Sequence, residues 1–273
     1  MNKIKNLAQT LASVDKTTLS KIEEYEREGR FNDHLDTNPA PYIPVDVNYQ
    51  YLPQTIWQKL KRFFQRAFLV APFRRYTNKK LFKTIVIGRQ NLKGIKNAII
   101  VSNHVNKLDS MAIEYALRHK RVYFTTAEFN NMQGFLGDMM RAGRILPMSE
   151  NFAAQKNFFV ATKQLLESGN YITYFPESAE WWLYEKPRPH KNGAYHMAVK
   201  NNVPIVPIFI TFKPFSKEAN RLNLKQFVVN ILEPIYLTPD LSSKDNENQM
   251  KQKAEAAWQK TYNEFYNKKE ART

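Results

Sequence analysis

From Lys83 onward, short apolar runs alternate with stretches whose apolar positions recur every three to four residues. The first pattern predicts buried strands and the second amphipathic helices. Lys83–Gly88, Asn97–Ser102, Arg121–Thr126 and Asn170–Phe175 read as strands. Gly143–Pro147 is a short one, Val203–Phe212 a long apolar one and Phe227–Leu232 a late one. Ser110–His119, Phe152–Ser168 and Gly193–Asn201 read as the helices between them, with Gly169 stopping the second. A closing helix over residues 244–269 turns Met250, Ala254, Trp258, Tyr262 and Phe265 inward. This alternation predicts a three-layer α/β domain around a largely parallel sheet.

The first 80 residues follow a different pattern and are expected to form a helical extension to a domain spanning 81–273. Residues 1 to about 30 read as helical, with Gly29 as the stop, and residues 36–49, rich in proline, as an extended linker. Residues 55–76 place Ile56, Trp57, Leu60, Phe63, Phe64, Ala67, Phe68 and Ala71 on one helical stripe. Lys59, Lys61, Arg62 and Arg66 lie largely off it. Such a helix is about 25–33 Å long if Pro72 ends or bends it. Two readings fit. Either the stripe packs on the domain and the basic face is solvated, or the helix lies in a lipid interface.

Charge favours the second reading. The formal net charge is +16. From Val47 to Leu108 there are thirteen Lys and Arg and no Asp or Glu, where a solvated face normally mixes signs. The expected partner is an anionic membrane surface, met through Trp57, Phe63, Phe64, Phe68, Lys61 and Arg62. No nucleic-acid recognition motif accompanies the charge, so no nucleic acid is expected. The chain has no cysteine, which excludes disulfides, thiolate chemistry and Cys-based zinc sites. No run approaches the ~18 apolar residues of a spanning helix, and the N-terminus lacks a signal-like apolar core. These features predict peripheral or monotopic attachment at the cytoplasmic face of the cell membrane.

Two turns carry candidate chemistry, each at the end of an apolar strand, where ligands of open α/β sheets bind. The first is Ser102-Asn103-His104-Val105-Asn106-Lys107-Leu108-Asp109. Its spacing lets the Asp109 carboxylate reach one ring nitrogen of His104, leaving the other to take a proton from an alcohol. The plain alternative is a helix-capping Asp109 beside an unrelated histidine. The second turn is Tyr174-Phe175-Pro176-Glu177-Ser178. If both strands run parallel, Glu177 and His104 open onto one edge of the sheet.

With these blocks, residues 83 to about 237 resemble the lysophosphatidic acid acyltransferase family of glycerolipid acyltransferases. Asn103-His104 through Asp109 matches its Asn-His-x-x-x-x-Asp signature, and Phe175-Pro176-Glu177 the start of its Phe-Pro-Glu-Gly-Thr-Arg signature. Lys191-Asn192-Gly193-Ala194 is similar to its Lys-x-Gly-Ala segment, and Val203-Pro204-Ile205-Val206-Pro207 to its Val-Pro-Ile-x-Pro block. The resemblance implies the three-layer glycerolipid acyltransferase fold. It also implies acyl transfer from acyl carrier protein or acyl-coenzyme A to the free hydroxyl of lysophosphatidic acid, making phosphatidic acid. His104 would be the base and Asp109 its orienting partner. No metal and no cofactor is implied.

Three departures affect the acceptor. The family's Gly-Thr-Arg is here Ser178-Ala179-Glu180, so the arginine that would help hold the acceptor's phosphate is missing. Trp181 and Trp182 follow, placed either to stack on a sugar or line an acyl groove, or simply to pack. The family's second block ends in an arginine, whereas Gly143-Arg144-Ile145-Leu146-Pro147-Met148 has only Arg144 nearby. Expected acceptor-binding residues are therefore Glu177, Ser178, Asn103, Arg144, Lys186, Arg188 and Lys191. Alternatives to lysophosphatidic acid are another lysophospholipid or a glycolipid, and beyond these a non-catalytic protein that binds anionic membranes.

Overall fold

The computed structural model describes residues 16–35, 41–214 and 225–270. The expectations for residues 1–15 and 36–40 fall outside these. Seven strands form one sheet: β1 (Ile85–Ile87), β2 (Ala98–Ser102), β3 (Val122–Ala127), β4 (Ile145–Met148), β5 (Tyr171–Tyr174), β6 (Ile205–Pro214) and β7 (Lys225–Ile231). Their order is β1-β7-β6-β2-β5-β3-β4. β6, β2, β5, β3 and β4 run parallel, while β7 is antiparallel to β6 and pairs parallel with β1. The reversal follows from chain length. Only residues 215–224 separate β6 from β7, too few for the crossover that a parallel pair needs.

The central strand β2 is buried along its whole length. Alternation sends its side chains to both faces. Ile100 packs with Ala112, Ile113 and Ala116 of α4 (Asp109–Leu117). Ile99 and Val101 join a second core with Phe158 and Leu165 of α6 (Phe152–Glu167) and Met197 of α7 (Gly193–Lys200). Met250, Ala254 and Trp258 of α8 (Ser243–Glu270) complete it. The domain is thus α/β, with helices on both faces of a largely parallel sheet.

One helix was absent from the sequence expectations. Gly134–Ala142 forms α5, in which a Cβ at Gly137 would run into the Met132 carbonyl. Two glycines in the first turn hid its helical period.

Helix α2 (Ile56–Gln65) starts at a Thr55–Gln58 capping box. Pro72 neither ends nor breaks the helical path. A π turn at Arg66–Val70 precedes it, α3 (Ala71–Tyr76) follows, and a second π turn covers Thr77–Leu81. The wider turn absorbs the hydrogen bond that proline cannot make, since Ala71 N–H donates to the Arg66 carbonyl. No residue of α2 is buried. Its apolar side faces outward, with Trp57 77 % and Phe63 63 % exposed, and Phe68 of the following turn continues that side. Several cations turn inward instead. Arg62 donates to the Tyr51 carbonyl at 3.3 Å, and Arg66 and Arg74 meet the buried Glu114. This reverses the reading in which the aromatic stripe packs on the domain. It also corrects the place of Arg62, which lies against the protein, while Lys61 pairs with Asp138 at 3.2 Å.

Helix α1 (Lys16–Arg27) and the segment after it dock on the turn that follows β5. The anchor is Trp181, fully buried between Tyr25, Phe31 and Tyr184, with its indole N–H on the Asp33 carbonyl at 3.0 Å. The Arg188 guanidinium lies 4.6 Å from its ring. Trp181 is therefore a packing residue and does not stack on a ligand. Trp181→Ala should lower stability by about 3–5 kcal/mol and expose α1 to limited proteolysis. An unchanged melting curve and cleavage pattern would contradict this anchoring role.

Candidate active site

β2 and β5 are parallel neighbours, with Val101 opposite Tyr174, so the turns that follow them emerge at one edge. Asn103 continues the sheet with its side chain. Its amide donates to the Ile210 carbonyl at 2.9 Å and accepts from the Ile210 N–H at 2.8 Å. This holds the backbone as it leaves the ladder. Asn103 is 1 % exposed and positions the turn; it does not reach toward an acceptor.

His104 comes next. Its ring stacks on Phe175 at 4.2 Å between centroids, and its Nδ1 lies 2.8 Å from Asp109 Oδ2. The same oxygen accepts the N–H of Val105 at 3.0 Å and of Asn106 at 3.4 Å. Asp109 therefore does not cap α4; it closes the His104 turn onto itself. An oxygen that collects three donors places the ring proton on Nδ1 and leaves the Nε2 lone pair free to accept one. Burial opposes a charged ring, but Asp109 and then Glu180 outweigh it and raise the His104 pKa above its usual value. That makes His104 a stronger base.

Glu177 lies beneath the turn, 1 % exposed. Its Oε2 accepts the His104 backbone N–H at 3.1 Å and the Arg188 guanidinium at 2.8 Å, and its Oε1 accepts the Arg188 backbone N–H at 3.1 Å. Arg188 also donates to the Phe31 and Ala179 carbonyls. Both side chains are spent on this buried pair, which corrects the expectation that Glu177 and Arg188 bind the acceptor. Lys186 is drawn away by Glu26, and Arg144 lies at the start of β4 on Glu114, away from the strand ends that carry His104. Neither joins the site. Lys191 is exposed, with its backbone N–H on the Pro176 carbonyl at 2.8 Å. Ser178 holds φ +68°, a left-handed conformation that favours the glycine it replaces.

The structure adds Phe175 and Glu180. Glu180 Oε2 stands 4.0 Å from His104 Nε2, and burial pushes its pKa up to about 7. The sequence signal for Glu180 was an acid in the place of the signature's arginine.

Residues 83–211 match the model of the Acyltransferase family. This segment is an acyltransferase-family domain. The chain is also 26 % identical over 150 residues, 54 % of its length, to the 1-acyl-sn-glycerol-3-phosphate acyltransferase of Haemophilus influenzae. The match spans about three-fifths (61 %) of the Haemophilus protein's length. A crystal structure of the 1-acyl-sn-glycerophosphate (LPA) acyltransferase PlsC from Thermotoga maritima superposes with a TM-score of 0.49 at 17 % identity, over 95 % of this chain and 98 % of that one. The family-model match and the Haemophilus relative bear out the family resemblance read from the motifs.

An NMR titration of the acyltransferase domain's His104 should give a pKa above the ordinary 6.5. Removing either neighbouring acid takes away a stabiliser of the imidazolium. Asp109→Asn and Glu180→Gln should each move the midpoint down, Asp109→Asn further. An unmoved midpoint in both variants would show that the ring is not governed by these carboxylates.

Proposed function

We propose that the protein is a membrane-surface O-acyltransferase. It moves a fatty acyl group from a thioester carrier, acyl carrier protein or acyl-coenzyme A, to the free hydroxyl of a lysoglycerolipid. The observation that carries this reading is the His104–Asp109 pair at 2.8 Å, with Nε2 free to take a proton. The acceptor oxygen attacks the thioester carbonyl as its proton passes to Nε2. The tetrahedral intermediate collapses, the C–S bond breaks, and the thiolate leaves with the proton returned from His104. No enzyme nucleophile is needed, so the acyl group passes directly from donor to acceptor without a covalent acyl-enzyme.

Lysophosphatidic acid, giving phosphatidic acid, is the acceptor suggested by the name of the Haemophilus relative. A second reading, another lysophospholipid or a glycolipid, is favoured by Glu180 standing beside His104 where the family signature has arginine.

The outward face of residues 56–81 supports action at a membrane. Trp57, Phe63, Phe64 and Phe68 are exposed there, beside the exposed cations Lys59, Arg75, Lys79 and Lys80. Phe135 and Leu136 of the adjacent α5 are exposed as well. No helix among the described residues is long and apolar enough to cross a membrane, so this surface would lie in the interface. The anionic cytoplasmic leaflet is the expected side.

Incubating the full chain with lysophosphatidic acid and each donor in turn, and identifying the lipid by mass spectrometry, tests the transfer. A diacyl product from one donor is expected; free fatty acid alone would contradict it. Sedimentation with vesicles tests docking. Vesicles containing phosphatidylglycerol should bind more tightly than neutral ones, and Phe63→Ala/Phe68→Ala should weaken binding by about tenfold. Equal binding to both vesicles would remove the electrostatic part of the reading.

A further inference from the structure

The acceptor hydroxyl must reach His104 Nε2, and whatever sits beside that hydroxyl meets Glu180. The carboxylate is fixed there by its backbone. Trp181 N–H donates to the His104 carbonyl at 3.0 Å and Leu183 N–H to the Val105 carbonyl at 2.8 Å, so the loop carrying Glu180 is tied to the loop carrying the base. Its Oε2 lies 4.0 Å from Nε2, beyond hydrogen-bond reach, leaving a gap for a ligand atom. Its Oε1 is buried, and the Trp182 side chain is a hydrogen-bond donor to the carboxylate, so Oε2 is the oxygen turned toward the base.

Two carboxylates flank the base against one nearby cation. Arg188 is committed to Glu177, which leaves the Lys107 ammonium, 4.3 Å over the Trp182 ring, as a cation acting on Glu180. Asp109, on the far side of the imidazole, adds a second negative charge. A phosphate group adjacent to the reacting hydroxyl would therefore face carboxylates at close range. A hydroxyl in the same place would donate to Oε2, the carboxylate oxygen beside Nε2.

We propose that Glu180 forms an acceptor subsite for a neutral hydrogen-bond donor, so that the preferred acceptor presents a second hydroxyl, as in a glycerol diol or a sugar, beside the hydroxyl that is acylated. This rests on the acyl-transfer reading above and narrows its acceptor. Glu180 selects against a phosphate monoester at that position.

Two acceptors with the same acyl chain test the subsite: monoacylglycerol, with a hydroxyl at the third glycerol carbon, and lysophosphatidic acid, with a phosphate there. The readout is the ratio of their kcat/KM values for the full chain at pH 8, above the value of about 7 to which burial pushes Glu180. The wild type should favour monoacylglycerol by about tenfold or more. Glu180→Gln should shrink that ratio by about fivefold or more, and Glu180→Arg should invert it. A general structural defect would lower both rates and leave the ratio unchanged. Preference for lysophosphatidic acid in the wild type, or a ratio unmoved in Glu180→Gln, would overturn the subsite. If the wild type acylates neither acceptor from either donor, the acyl-transfer reading falls and the subsite with it.

Discussion

The Glu177 carboxylate joins the parts from which the site is made. It sits at the end of β5, holds the backbone of His104 at the end of β2, and receives both the backbone and guanidinium of Arg188. Arg188 in turn reaches Phe31 in the segment behind α1. A buried ion pair contributes little net stability by itself, because desolvation offsets its attraction. Breaking one half leaves an unpaired buried charge, at about 3–5 kcal/mol. The pair therefore serves specificity of arrangement: it fixes where His104 can be relative to the second turn. Asp109 then fixes the ring, and Phe175 supplies the surface on which it lies.

A second division of labour concerns charge. Part of the basic excess between Val47 and Leu108 is drawn inward, while most of it stays exposed. Arg66 and Arg74 from the long helical segment meet Glu114, where Arg144 joins them. These contacts fasten the segment by its polar side and leave its aromatic side outward. A helix fastened this way exposes apolar surface that water would not favour, and this is the surface the proposed docking would use.

Much of this was legible from sequence. The strand and helix alternation after Lys83 reproduces the observed elements closely, because buried strands and amphipathic helices leave strong periodic signals. The spacing of His104 and Asp109 allowed their contact, and the structure decides it against the helix-capping alternative. Other features depended on tertiary partners. Glu177 and Arg188 are eleven residues apart and look like independent binding candidates until burial shows them bonded to each other. Arg144, Lys186 and Asn103 each have a local reason to exist, in Glu114, Glu26 and Ile210, that no linear pattern announces. The amphipathic period over 55–76 identified a two-faced helix, but which face meets the protein depends on Glu114, a partner far along the chain. Helix α5 was missed because Gly137 serves close packing at Met132 and Gly134 a positive φ at the helix start.

In the proposed transfer, His104 is the base that activates the acceptor hydroxyl. The most direct measurement is acyl transfer by His104→Ala, read as product lipid, beside its melting curve. Transfer should fall by at least about a hundredfold while the melting transition stays cooperative, since Asp109 keeps its two backbone donors. A folded His104→Ala protein that retains most of its transfer would contradict the claim.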